Sequence, residues 1–231
     1  MAAKKNDSAK KAATPEAATA RKSTVREYFE TIVVAVILAL FARTWAVQAF
    51  KIPTGSMENN LLIGDHLLVN KFLFAPLAGP LDRAVAPMRA VRRGDVVVFK
   101  YPEDPERDFI KRVVGLPGET LELRNKAVHI NGRKIDEPYV HFLRPPSSEG
   151  AEVASYDVRE NYGPVTIPER HYFVMGDNRD NSQDSRYWGF LPADYIKGRA
   201  AIIYWSYDSA GSTGGHALSR TRWNRLLQLI R

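Results

Sequence analysis

Apolar residues are distributed as one continuous run near the N-terminus, followed by many short segments. Residues 31–42 form an uncharged run of 12 residues, and extending it to residues 28–50 gives 23 residues. As a helix this stretch is about 35 Å long at ~1.5 Å per residue, and crossing the hydrocarbon takes about 20 residues. Arg43 lies near one end, where a long side chain can snorkel, and Trp45 suits an interfacial belt. We therefore predict a transmembrane helix over residues 28–49.

Two other interpretations of this run are open. One is a buried helix of a soluble protein, which the polar segment before it disfavours. The other is a cleavable signal peptide, because Val47 and Ala49 are small residues of the kind found at processing sites, although Arg43 stands between them and the apolar run. Residues 1–27 are predicted to be a disordered basic tail. Their seven Lys/Arg residues against three acidic ones place the N-terminus in the cytoplasm.

The short apolar segments indicate a β-rich body. Strands are predicted over residues 95–101, 109–114, 120–124, 127–130, 172–175 and 199–207. The 120–124 and 127–130 pair reads as a hairpin, and Asn131-Gly132 is a strong hairpin turn signal. Residues 76–93 and 144–164 read as loops. Residues 222–231 have a helical pattern, which predicts either a helix that caps the sheet or an interfacial membrane contact.

The positive charge of the chain lies at its two ends. The net charge is +7, but residues 51–215 carry 21 basic and 22 acidic residues. A nucleic-acid-binding face needs a basic stripe on the folded part, so we expect no nucleic-acid partner and instead a lipid bilayer. The chain has no cysteine, which excludes disulfides, a thiol nucleophile and cysteine metal sites.

Two motifs suggest hydrolytic chemistry. Ser56 lies in the turn-prone sequence Pro53-Thr54-Gly55-Ser56-Met57, and Lys111 lies within the apolar run 109–114. The five histidines are scattered, so a Ser–His pair is weakly supported, and His66 lies in a strand-like run. A lysine can activate a serine only when it is neutral, which burial favours. The alternative is that Lys111 points outward from an edge strand.

A third motif, residues 175–189, is dense in Asp, Asn, Ser and Arg. A metal-binding loop is one interpretation, because Asp177, Asp180 and Asp184 offer hard oxygen ligands. Arg179 and Arg186 would compete for those carboxylates, and the EF-hand pattern is not met. We favour a hydrogen-bonded scaffold in which Asp–Arg pairs fix the loop and Ser182 faces Ser56 and Lys111.

These motifs, over residues 27–203, together resemble bacterial type I signal peptidase. The resemblance implies that Ser56 is the nucleophile, Lys111 the general base and Ser182 the residue that orients the lysine amine. It also implies that Thr54 and the Ser56 backbone N–H form the oxyanion hole. Structural ion pairs are implied for Asp177, Arg179, Asp184 and Arg186. Shallow pockets that accept Ala-x-Ala before the cleaved bond are implied for Phe50, Ile52, Met57, Leu61, Val98, Phe109 and Ile110.

The resemblance further implies a mostly β, signal-peptidase/LexA-like fold with no cofactor and no metal. The catalytic β domain would comprise residues 50–118 and 172–215, with a variable β insertion at 119–171 and a basic amphipathic segment at 216–231. The enzyme would cross the bacterial cytoplasmic membrane once, with its catalytic domain on the outer face, and would act on signal peptides of exported preproteins. The family often has two N-terminal membrane helices, whereas this sequence predicts one.

Another departure from the family is local. A proline usually stands two residues after the methionine of the serine motif, where this chain has Asn59.

Two rival functions are open. One is a LexA-like self-cleaving repressor, which would need a DNA-binding domain in place of residues 31–42. The other is a catalytically inactive peptide-binding module of the same fold.

Overall fold

The structure is a computed structural model that describes residues 24–41, 47–71, 89–144, 157–208 and 220–230. Most of the predicted basic tail (residues 1–27) and of the predicted insertion at 76–93 lies outside these residues. An N-terminal helix, except for its last residue, belongs to one compact unit, residues 1–40, and the β-rich body to another, residues 41–231.

Helix α1 spans Thr24–Phe41. Its large apolar side chains from Ile32 to Leu40 are exposed. The predicted helix over residues 28–49 is wrong at its C-terminal end, because a strand begins at Val47 and pairs antiparallel with the next strand over five residues. Among the residues described, no helix has the length and apolarity needed to cross a membrane.

The described part of the body contains twelve strands and several short helical turns. The strands are β1 Val47–Lys51, β2 Asp65–Asn70, β3 Val96–Tyr101, β4 Asp104–Gly115, β5 Thr120–Arg124, β6 Ala127–Ile130, β7 Arg133–Lys134, β8 Tyr162–Thr166, β9 His171–Met175, β10 Leu191–Pro192, β11 Ile196–Ser206 and β12 Gln228–Leu229. A one-turn helix α2 spans Ser185–Trp188, and 3-10 helices lie at Gly55–Met57, Arg179–Asn181, Ala193–Tyr195 and Trp223–Arg225.

The strands form two antiparallel sheets. The larger sheet has the order β1-β2-β11-β3-β4-β9-β10, with β12 added beside β11, and the smaller has the order β7-β6-β5-β8. This arrangement confirms the predicted mostly β class and the six predicted strands. The predicted hairpin is also confirmed: β5 and β6 pair across Asn125-Lys126, and β6 and β7 across Asn131-Gly132. All four turn residues have positive φ angles, as type I′ turns require.

The C-terminal segment is not the predicted helix. Residues 223–225 make one 3-10 turn, and Leu227 then adopts a φ of +59°, which ends any helical path before β12. Arg225 donates from Nε and Nη2 to the buried carboxylate of Asp65, and from Nη2 to the carbonyl oxygen of Asn60 at 2.8 Å. The segment is therefore tied to the loop between β1 and β2, which carries Ser56.

Candidate active site

Ser56 lies in the loop that joins β1 to β2. The two ends of this loop are held together by backbone bonds from Ile52 N to Asp65 O and from Gly64 N to Ile52 O. Ser56 sits within the 3-10 helix Gly55–Met57, whose Met57 side chain is fully buried beside Ile52 in the core. Burial of these two neighbours fixes the serine at the surface of the core.

Lys111 reaches this serine from strand β4. Its Nζ lies 2.6 Å from Ser56 Oγ and donates to the Ile110 carbonyl oxygen at 3.1 Å. Lys111 is only 4% exposed, so the alternative of an outward-pointing lysine is wrong. Burial lowers the pKa of Lys111 from 10.5 to about 8, against the opposing charges of Asp184 and Asp177. The two groups needed for a serine–lysine pair are thus in hydrogen-bond contact.

The polar segment that follows β9 fixes the serine turn from the other side. Asn178 N donates to the Ser56 carbonyl oxygen at 3.1 Å, and Asn178 Nδ2 donates to the Gly55 carbonyl oxygen at 3.4 Å. A Cβ on Gly176 would lie 2.5 Å from the same Ser56 oxygen. Only glycine therefore allows the segment to approach the serine turn this closely.

Among the described residues, four ion pairs with largely buried side chains support this segment. Asp184 caps α2 and accepts from Arg186 Nε and Nη2, both at 2.8 Å. Burial raises the pKa of Asp184, but the hydrogen bond and the charge of Arg186 outweigh it, so this pKa lies below its ordinary value. Asp184 and Arg186 therefore form an ion pair with each other, as predicted.

Asp177 and Arg179 do not pair with each other. Asp177 accepts from Arg112 Nε at 2.8 Å and Nη2 at 2.7 Å, and Arg179 donates to Glu137 at 3.0 and 2.5 Å. The guanidinium of Arg112 also lies 4.0 Å from the centre of the Tyr139 ring. Arg112 and Glu137 were not singled out by the sequence, because their partners are distant along the chain.

The three carboxylates that suggested a metal loop are each engaged by a different cation. Asp177 binds Arg112, Asp184 binds Arg186, and the third, Asp180, accepts from Lys126 Nζ at 2.9 Å. Within the described ranges no group of His, Cys, Asp or Glu side chains is arranged to hold a metal ion.

Ser182 is buried beside Gly176, and its side chain contacts the position that a Cβ on residue 176 would occupy. Its Oγ has no hydrogen-bond partner of normal geometry among the described residues, although it is close enough to Asp184 to help lower the pKa of that carboxyl. The predicted orienting contact from Ser182 to the Lys111 amine is not formed in this structure.

A cleft of about 480 Å³ opens over Ser56 and Lys111. Of the predicted pocket residues, Phe50, Phe109 and Ile110 line it, as does the exposed residue Thr54. The others are buried in the core cluster against which Phe50 packs: Ile52, Met57, Leu61 and Val98. Sequence reasoning missed four polar lining residues, namely Arg107, Asp108, Asn181 and Gln183.

Two strand edges at this cleft are unpaired. On one side β4 pairs with β3, but on the other it pairs with β9 only from Arg112 onward. Its edge from Asp104 to Lys111 is thus free of any strand within the described ranges, and β1 pairs with β2 alone. An extended peptide can add to such edges through main-chain hydrogen bonds.

Asn59, where the resemblance to signal peptidases predicts proline, has a conformation that proline cannot adopt. Asn59 has a φ of +78°, whereas the proline ring fixes φ near −65°. Asparagine tolerates this left-handed region. The next residue, Asn60, donates from Nδ2 to the Tyr139 carbonyl oxygen at 2.9 Å and to Asp177 at 2.8 Å. The loop is thus held by a tight turn and an amide contact.

The chain is similar to known proteins over most of its length. The sequence profile of the family described as "Signal peptidase, peptidase S26" matches residues 25–205. The chain belongs to this family. Signal peptidase I of Pseudomonas aeruginosa is 36% identical over 209 residues, which cover 78% of this chain and 72% of that protein. Signal peptidase I of Aquifex aeolicus is 33% identical over 229 residues, covering 79% and 85%.

The chain is also similar to two further proteins. A probable signal peptidase I-2 of Synechocystis is 37% identical over 196 residues, covering 82% of this chain and 78% of that protein. A crystal structure of a signal peptidase I from Enterococcus faecalis is 32% identical and covers 48% of this chain and 97% of that one, with a TM-score of 0.38. Membership of the S26 family makes this chain a peptidase of the signal peptidase class.

Proposed function

We propose that this S26 peptidase is a membrane-anchored serine endopeptidase that removes signal peptides from exported preproteins. The observation that carries the proposal is the 2.6 Å distance between Lys111 Nζ and Ser56 Oγ in a cleft bordered by free strand edges. A buried amine beside a serine hydroxyl is the arrangement that a serine–lysine dyad requires.

The proposed reaction is acyl transfer. The neutral Lys111 amine takes the proton of Ser56 Oγ, which attacks the carbonyl carbon of the residue before the cleaved bond. Lys111 then gives this proton to the leaving amine, and afterwards takes a proton from the water that hydrolyses the acyl-enzyme. Because the pKa of Lys111 is about 8, about a tenth of the amine is already neutral at pH 7.

Thr54 and the Ser56 backbone N–H are proposed to stabilise the oxyanion. Thr54 is exposed at the cleft, and its side chain does not cap the 3-10 helix that follows it. Its hydroxyl is therefore available to a substrate carbonyl. A well-placed donor of this kind contributes about 100- to 1,000-fold to the rate.

The preferred sites are proposed to be of the Ala-x-Ala type. A substrate strand added to β4 would direct alternate side chains toward the cleft, where Phe50, Phe109 and Ile110 leave shallow apolar space. Asp177 and Asp184, with their arginine partners, would hold the polar segment against the serine turn. Ser182 is proposed to orient the Lys111 amine once substrate is bound.

Anchoring in the bilayer is proposed to involve α1. Its exposed apolar side chains between Ile32 and Leu40 are suited to lipid, and the basic residues before it favour a cytoplasmic N-terminus. Protease added to the cytoplasmic face of sealed vesicles should then leave residues after 50 intact. Digestion of the body under these conditions would refute the orientation.

The test of the dyad is cleavage of a preprotein with Ala-x-Ala at its processing site. Ser56→Ala and Lys111→Met should each abolish product formation by the full-length enzyme, because each removes one member of the proton transfer. The control is His66→Ala on β2, which should retain activity. Undiminished cleavage by Lys111→Met would rule out the lysine as base.

A further inference from the structure

Arg107 is a charged residue at the cleft that has no role in the proposed mechanism. It lies on β4, lines the cleft and is exposed. Within the described part of the chain it forms no ion pair, whereas its neighbour Asp108 is already bound by Lys197 at 2.7 Å. Among the described residues the guanidinium contacts the Phe109 ring and no carboxylate, so its positive charge faces the cleft.

The position of Arg107 relative to the dyad follows from strand geometry. Alternate residues of a strand share one face, so Arg107, Phe109 and Lys111 lie on the same face of β4. The Phe109 ring confirms this, because its centre lies 5.6 Å from Arg107 Cζ and 5.5 Å from Lys111 Nζ. Arg107 and Lys111 are four residues apart, or about 13 Å along the strand.

The free edge of β4 sets the direction of a bound peptide, given the proposed function on which this inference rests. Beyond Lys111 the edge is occupied by β9, so a substrate strand can extend only from Lys111 toward Arg107. The apolar Phe109 and Ile110 lie in between, which suits the small residues before the cleaved bond. Counted back from the cleaved bond, the first residue of the substrate would lie near Lys111, the third near Phe109 and the fifth near Arg107.

We propose that Arg107 is a specificity-determining residue that favours an acidic side chain at the fifth position before the cleaved bond. A carboxylate there would be bound by an otherwise unpaired guanidinium, while a lysine would be repelled. An ion pair at an exposed site changes affinity by about two- to fivefold. The effect should fall mainly on KM, because the pair lies far from the reacting atoms.

The experiment compares three peptides with an Ala-x-Ala site and Asp, Ser or Lys at the fifth position before the bond. With full-length enzyme in neutral detergent we expect kcat/KM to fall in the order Asp, Ser, Lys, by about two- to fivefold at each step. Arg107→Glu should reverse the order, and 1 M salt should compress the differences. The matched control is Arg133→Glu on β7, an exposed residue outside the cleft with the same change in net charge, which should keep the order.

Each result is decisive. Equal rates with all three peptides, or the same order in Arg107→Glu as in the unsubstituted enzyme, would overturn the inference and leave the proposed function intact. If the unsubstituted enzyme did not cleave the peptide that has Ser at the fifth position, the proposed function and this inference would both be overturned.

Discussion

Replacing Lys111 with methionine should abolish activity and at the same time stabilise the fold. Burial moves the pKa of Lys111 from 10.5 to about 8, which corresponds to about 3 kcal/mol of unfavourable free energy for the charged amine in the folded state. Methionine has a similar length and no charge. Loss of the hydrogen bond to the Ile110 carbonyl oxygen reduces the resulting gain in the free energy of unfolding by about 1 kcal/mol. We therefore expect a net gain of about 2 kcal/mol at pH 7.

The sign of this effect depends on pH. Below pH 8 the amine is charged in both the folded and the unfolded chain, so the folded state bears the full cost of burying it. Above pH 10.5 the amine is neutral in both states and the cost disappears. The advantage of methionine should thus be largest near neutral pH and should decline as the pH rises from 8 to 10.5.

The assay is denaturant unfolding of the full-length protein in neutral detergent, followed by tryptophan fluorescence. Both proteins carry Ser56→Ala, so that self-cleavage cannot alter the result. Lys134→Met, at an exposed position on β7, is the control and should show a small difference that does not vary with pH. If Lys111→Met were less stable at pH 7, or its effect were the same at pH 7 and 10, the reasoning from desolvation would be refuted.

Four further predictions concern the site. The value of kcat/KM should rise about tenfold per pH unit below pH 8 and then level, because in the proposed mechanism only neutral Lys111 acts as base; initial rates that do not vary from pH 6 to 9 would contradict this. Gly176→Ala should lower kcat by about 100-fold by displacing Ser56. An unchanged kcat would show that the neighbouring atoms move aside for the added methyl group without disturbing Ser56. Asp184→Asn should cost about 3–5 kcal/mol in denaturant unfolding, since it leaves a buried guanidinium unpaired; a loss below 1 kcal/mol would argue against this. Asn59→Pro should reduce thermal stability because of its φ of +78°, whereas Asn59→Gly should not.

The strands that the sequence predicted correctly are those with local signals. β-branched and aromatic runs bounded by glycine or asparagine turns identified β3, β5, β6 and β9, and these signals need no knowledge of the partner strand. The errors lie where pairing decides the structure. Val47–Lys51 continues an apolar run and becomes a strand only because β2 lies beside it. Residues 222–231 have a helical pattern, but β12 pairs with β11 and Arg225 binds Asp65.

The site shows the same division. The proximity of Ser56 and Lys111 was predictable because few residue types suit the proposed chemistry, and their local settings were distinctive. The ion-pair partners were not, because Asp177 binds an arginine 65 residues away and Arg179 a glutamate 42 residues away. Nothing in the spacing of the polar motif distinguishes these pairings from a contact between its own members.

The bond between Arg225 and the serine loop also has a consequence for biogenesis. The arginine that ties Asn60 and Asp65 is synthesised 160 residues after Asp65. During synthesis the loop bearing Ser56 therefore emerges long before the group that completes its anchoring. We expect a nascent enzyme to gain its peptidase activity only when translation has passed residue 225 and this anchoring is complete.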